Sequence, residues 1–301
     1  MTIILETDQK NCFDEVGNRI ECRDTLQDAG YKRRESYLSK RFSVCNHIVE
    51  DKWTGLIWHH NANLAEFPLT WKEAFDFVQE VNNSKTSNLI NWRLPTRSEL
   101  FSLISHQYIN PSLPEPHPFK NVFNGYYWTQ TECSRLPDQA WYIHFGGGRV
   151  YRGMKHGSYM VWPVTGTNVE EKSVDNRFHK NSDFIYDATT KRTWLNEKEL
   201  TQGAVTWKEA INFVKKINTK KAGFSDWRLP NIRELESLVD TTQHSPAFAT
   251  GCSFDKIQEG YWSSTTSLYE PKYAWVLYTM DGAIGVGFKP HAEFFILPVR
   301  G

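Results

Sequence analysis

The chain has 301 residues, with 35 Lys and Arg against 35 Asp and Glu, so its formal charge is zero. That balance lacks the basic footprint of a nucleic-acid binder, and no apolar run approaches the roughly 18–20 residues of a membrane-spanning helix. Aromatic residues reach 14%, with 12 Trp, 13 Tyr and 18 Phe, an excess that suits packed cores and ligand platforms alike.

Residues 1–41 read as an N-terminal segment. The opening turns polar too quickly for a secretory signal. The chain as given is therefore expected in the cytoplasm, or secreted or at the surface where a leader has been removed. Cys12 and Cys22 would close a small loop in an oxidising compartment and remain thiols in a reducing one. With Cys45, Cys133 and Cys252 they make five cysteines, without a C-x-x-C pair or a metal-ligand spacing to histidine. The run Lys32-Arg33-Arg34, with Lys40-Arg41 behind it, reads as a solvated basic linker.

Beyond this point the chain repeats itself. TWKEAFDFVQEV at residues 70–81 returns as TWKEAINFVKKI at 206–217, and NWRLPTRSEL at 91–100 returns as DWRLPNIREL at 226–235. Tyr127-Trp128-Thr129 answers to Tyr261-Trp262-Ser263, Ala140-Trp141 to Ala274-Trp275, and Trp162-Pro163-Val164 to Leu297-Pro298-Val299. Offsets stay between 134 and 136 residues, a register that chance does not hold over a whole domain. The first domain is placed at 42–166, a polar linker at 167–177 and the second domain at 178–301.

Within each copy, Thr70 with Glu73 and Thr206 with Glu209 form capping boxes that open a helix. Behind them Ala74, Phe77, Val78 and Val81, and their counterparts, fall at helical spacing. The W-R-L-P element is extended, because the residue before proline avoids the helical region. Thr96 with Glu99, and Asn231 with Glu234, then open a second helix. Strands are expected at 126–131, 140–145, 149–152 and 159–164, and at 261–266, 274–279, 283–288 and 294–299. Gly146-Gly147-Gly148 and Asp281-Gly282 mark hairpin turns. An early strand near residues 55–58 completes an α+β unit of two helices and an antiparallel meander.

These blocks resemble the Lcl C-terminal domain family, a domain long without an assigned function and typified by part of a bacterial adhesin. The pattern runs from Asp51-Lys52-Trp53-Thr54-Gly55-Leu56-Ile57-Trp58 to Pro298-Val299-Arg300-Gly301 and covers both copies. Cys12-Phe13-Asp14, with Gly17-Asn18 and Cys22, resembles a leader unit that precedes the domain. The resemblance implies two tandem C-type lectin-like modules, each two helices and a twisted antiparallel sheet, with ligand sites on long loops. The second copy departs from the opening motif, reading Thr190-Lys191-Arg192-Thr193 before Trp194.

Residues kept in both copies read as scaffold: Trp71, Trp92, Arg93, Glu99 and Trp128, with Trp207, Trp227, Arg228, Glu234 and Trp262. Arg93 with Glu99, and Arg228 with Glu234, can form ion pairs that hold a loop to a helix. Divergent loops on a repeated scaffold are where specificity is sought. The candidate contacts are Tyr108, His117, Phe119, Arg149, Tyr151, Arg152 and His156 in the first copy, and Phe254, Tyr269 and Tyr273 in the second. No metal, cofactor or catalytic residue is expected; Cys133 answers to Ser267, which weakens an analogy with formylglycine-generating oxidases. The expectation is a non-enzymatic recognition protein for a glycan or protein ligand, with an intracellular component of a larger assembly as the alternative.

Overall fold

The computed structural model describes residues 6–31, 41–84, 91–166, 176–196, 200–220 and 224–301. Lys32, Arg33, Arg34, Lys40 and most of the expected linker, 167–175, lie outside the described residues. The chain divides into two compact units, Arg33–Glu170 and Met1–Lys32 with Glu171–Gly301. The N-terminal segment thus belongs with the second module, across the whole first module in sequence. In it β1 (Cys12–Phe13) pairs with β2 (Arg19–Ile20), closed by a disulfide between Cys12 and Cys22.

The first module begins with a meander of β3 (Phe42–Cys45), β4 (Ile48–Asp51) and β5 (Leu56–His59). A short β6 (Leu69–Thr70) leads into α1 (Trp71–Asn83), where the Thr70–Glu73 capping box is formed in both directions. The extended W-R-L-P stretch follows, then α2 (Arg97–Ser102), capped in the same way by Thr96 and Glu99. A second meander comprises β7 (Tyr126–Glu132), β8 (Gln139–His144) and β9 (Val150–Met154). The β8–β9 turn ends on Gly148 at φ +88°, a left-handed conformation that glycine adopts without a Cβ penalty. Then β10 (Ser158–Tyr159) pairs with β6, and β11 (Val164–Thr165) closes on β5.

The second module, with the same order, has β12 (Phe178–Lys180), β13 (Phe184–Asp187) and β14 (Arg192–Leu195). Then come α3 (Trp207–Lys220), α4 (Ile232–Glu236), β15 (Gly260–Thr266), β16 (Tyr273–Tyr278), β17 (Ile284–Phe288) and a closing β18 (Val299–Arg300) on β14. Four α-helices among the described residues of a mostly β chain make it α+β. In each module the amphipathic first helix packs its apolar stripe on the meander. Ala74 and Val78 meet Trp92, Leu94 and Trp128; Ala210, Val214 and Ile217 meet Trp227, Leu229 and Trp262.

Two expectations change. The strands placed at 159–164 and 294–299 are broken. Pro163 and Pro298 cannot donate to a ladder, and each segment crosses from one sheet to the other. Met160 exchanges backbone hydrogen bonds with Tyr126 and Trp128, while the Pro163 carbonyl accepts from His59. Nor is Arg41 a solvated linker residue. It is 2% exposed, donates to both carboxylate oxygens of Asp51 at 3.0 and 2.7 Å, and reaches the Ser102 carbonyl. Arg177 repeats the device on Asp187 and the Ser237 carbonyl, so the same arginine joint stands just before the first strand of each module's meander.

Candidate functional site

The residues shared by both copies build matching joints. Arg93 grips Glu99 through two bonds of 2.7 Å, and Arg228 grips Glu234 at 2.5 and 2.6 Å. The indole N–H of Trp71 donates to the Thr129 carbonyl and that of Trp207 to the Ser263 carbonyl. Trp128 and Trp262 tie the meander to the segments before the first helices in the same way, through Leu69 and Val205. Arg192, which stands where the first module has Leu56, adds a third charge by donating to Glu234 at 2.7 Å. Lys191 takes the left-handed turn position of Gly55, at φ +58° against +74°, so the altered motif keeps its turn and gains an ion pair.

The candidate contact residues do not form one patch. Phe119 is buried, its ring 4.8 Å from Trp162 and 5.1 Å from Phe42, and so packs the core. His117 lies along it, half buried, with its pKa lowered by that burial. Tyr108 is partly buried and Tyr273 packs on Phe288 at 5.2 Å. Tyr269, Arg149 and His156 are exposed. The Arg152 guanidinium sits 4.8 Å from the centre of the exposed Tyr151 ring.

Tyr151 leads to a surface that motif reading missed. Tyr126, Tyr142 and Tyr159 gather beside it, from β7, β8 and β10. Ring centres lie 4.8 Å apart for Tyr126 and Tyr142, 5.3 Å for Tyr126 and Tyr159, 5.0 Å for Tyr142 and Tyr159, and 6.4 Å for Tyr142 and Tyr151. His144 joins them, 4.7 Å from Tyr126. Tyr126 and Tyr151 remain 42% and 41% exposed, so the platform is open. Burial, then the neighbouring Tyr159 and Tyr126 rings, push the Tyr142 hydroxyl up to about 12. Burial and the Arg149 charge lower the His144 pKa, so the imidazole is neutral near pH 7. The surface is therefore aromatic and hydrogen-bonding, with the guanidinium groups of Arg149 and Arg152 beside it. The register of the repeat puts Gly260, Val276, Gly285 and Phe294 in these tyrosine positions. Only the first module carries the platform. The period-2 placement of Tyr126 and Tyr142 on their strands was the available signal.

The second module has a cleft instead, lined by Leu195, Asn196, Leu200, Phe254, Gln258 and Leu297 among others. Leu297 stands in the place of Trp162, whose indole in the first module fills the space against Phe119 and donates to the His59 carbonyl. Phe254 thus borders a cavity where its counterpart is packed. Asn196 is 4% exposed; its Oδ1 accepts from the Asp255 amide, while its buried Nδ2 has no partner among the described residues.

No helix among the described residues is long and apolar enough to cross a membrane. The family model described as Lcl C-terminal domain matches residues 47–165 and again residues 183–300. Comparison with curated proteins returns no match.

Proposed function

Starting from a chain that belongs to the Lcl C-terminal domain family in two tandem copies, we propose a non-enzymatic recognition protein whose first module binds a glycan on its tyrosine platform. The observation that carries this reading is the cluster of Tyr126, Tyr142, Tyr151 and Tyr159, absent from the second copy. Tyrosine rings offer apolar faces to the C–H side of a sugar ring, and their hydroxyls and a neutral His144 exchange hydrogen bonds with sugar hydroxyls. Two helices against a twisted antiparallel meander support the reading of each module as C-type lectin-like. The Cys12–Cys22 disulfide supports an oxidising compartment over an intracellular assembly. Burial pushes the Cys252 thiol up to about 12, which keeps it protonated and argues against thiolate chemistry there.

A glycan array on the full chain, followed by titration of the best hit, tests this. Tyr126→Ala and Tyr151→Ala each weaken binding by about tenfold, since covering an exposed aromatic side chain contributes about 1.5–3 kcal/mol when burial is complete. Both side chains are exposed enough for the fold to survive their loss. Wild-type protein that binds no glycan, or variants that bind as well as wild type, would reject the platform.

A further inference from the structure

The N-terminal segment shows what one face of this module is built to hold. In the second module it covers Trp207, Lys289 and the end of β15. The Gln9 carboxamide accepts from the Thr266 amide at 3.1 Å and donates back to the Thr266 carbonyl, so it caps a sheet edge on both backbone groups. Lys289, fully buried over the Trp207 ring, donates to the Phe13 and Asp14 carbonyls. Lys208 pairs with Glu15, and Thr265 donates to Asp28 at 2.8 Å. Under this cover Ser264, Thr265 and Thr266 are buried and Trp207 is 3% exposed.

Among the described residues, nothing equivalent covers the same face of the first module. Trp71 is only partly buried, its ring edge against the 39% exposed Phe75, and Lys155 lies 4.4 Å from its centre. Glu132, in the place of Thr266, has a side chain 57% exposed at the edge of β7. The charge pattern has changed. Lys155 is held by Glu132 and Lys72 by Asp76, where the second module has the neutral Thr266 and Asn212 and uses the segment's own groups. With Lys155 and Lys72 already paired by Glu132 and Asp76, this face offers the Asp14-Glu15 corner of the segment no free lysine.

We propose that the Trp71 face of the first module is a docking site for an extended segment of a partner protein, one that carries a carboxamide side chain and basic residues. The carboxamide caps the Glu132 backbone as Gln9 caps Thr266. The apolar part covers Trp71 and Phe75, and the basic side chains meet Glu132 and Asp76. Edge-strand capping supplies backbone hydrogen bonds and charge complementarity supplies partner choice. This site is distinct from the tyrosine platform, so failure of one leaves the other standing.

The test uses the full chain and two synthetic, oxidised peptides of residues 6–31: the native sequence, and one with Asp14→Lys and Glu15→Lys. Isothermal titration is expected to show the basic peptide binding about tenfold or more tighter than the native one. Phe75→Asp, at an exposed position, abolishes the binding. Glu132→Thr with Asp76→Asn reverses the preference, so that the native peptide becomes the tighter ligand. Equal affinity for both peptides, absence of binding, or binding indifferent to these changes overturns the proposal. Glycan titration of the same variants stays at the wild-type value if the two sites are separate.

Discussion

The ammonium of Lys289 lies 4.2 Å from the centre of the Trp207 ring in a fully buried position, with the carbonyls of Phe13 and Asp14 as its hydrogen-bond acceptors. Burial pulls its pKa down to about 7, against the smaller opposing pull of Asp14 and Glu15. A free lysine titrates near about 10.4, so above about pH 7 the unfolded chain holds a proton that the folded chain lacks. The second module therefore gains stability as pH rises from 7 to 8.5, by up to about 1.4 kcal/mol per pH unit. Cys252, raised in the folded state, offsets this gain above about pH 9, where an unfolded thiol ionises. Urea unfolding at half-unit pH steps reads the slope, and Lys289→Met should flatten it. An unchanged slope in that variant would assign the effect elsewhere.

Glu234 carries the densest charge cluster in the core of either module. It is fully buried and accepts from Arg228, from Arg192 and from the Asn231 amide, and the two arginines hold it ionised against its burial. Glu234→Gln leaves two guanidinium groups facing a neutral amide, so it should cost the second module about 3–5 kcal/mol. Glu99→Gln, with one partner whose side chain is 26% exposed, should cost the first module about half that. Denaturant curves that resolve the two units decide between these values. Equal losses would mean that Arg192 contributes nothing.

Much of the frame was legible because its determinants are local. The capping boxes at Thr70, Thr96 and Asn231 lie within three residues of their partners, and the helical stripe of Ala74, Val78 and Val81 needs only a periodic pattern. What escaped is set by distant partners. Arg192 and Glu234 are 42 residues apart, and Gln9 and Thr266 are 257 apart, so neither contact has a local pattern. Phe119 looked like a loop aromatic free to bind; Trp162 from the closing segment buries it. The tyrosine platform draws on four strands, and no single segment announces it. The comparison of copies remained useful, because Leu297 against Trp162 and Thr266 against Glu132 mark where the modules diverge.

The Cys12–Cys22 bridge closes the loop that presents the Phe13 and Asp14 carbonyls to Lys289. A loop of ten residues is stabilised by about 2–3 kcal/mol through the entropy removed from the open chain. Cys12→Ser with Cys22→Ser should therefore loosen residues 6–31 on the second module. Hydrogen exchange is expected to speed up in that segment and at the Thr266 amide, whose acceptor is Gln9. Exchange confined to residues 12–22 would show that the segment is held without the bridge.

Leu297 keeps the second module's cleft open, and replacing it with the first module's residue should close it. Leu297→Trp places an indole between Leu195 and Phe254, as Trp162 sits between His59 and Phe119. The backbone supports the same pose, since Leu195 donates to the Pro298 carbonyl as His59 does to Pro163. Filling apolar space of this kind typically stabilises by about 1 kcal/mol, provided no neighbour is forced from its rotamer. Thermal unfolding of the variant is thus expected at or above the wild-type midpoint for the second module, with the first unmoved. A fall equivalent to about 2 kcal/mol or more would mean that the cleft is too small for the ring. In that event the buried Nδ2 of Asn196 would border packed side chains rather than space for a guest.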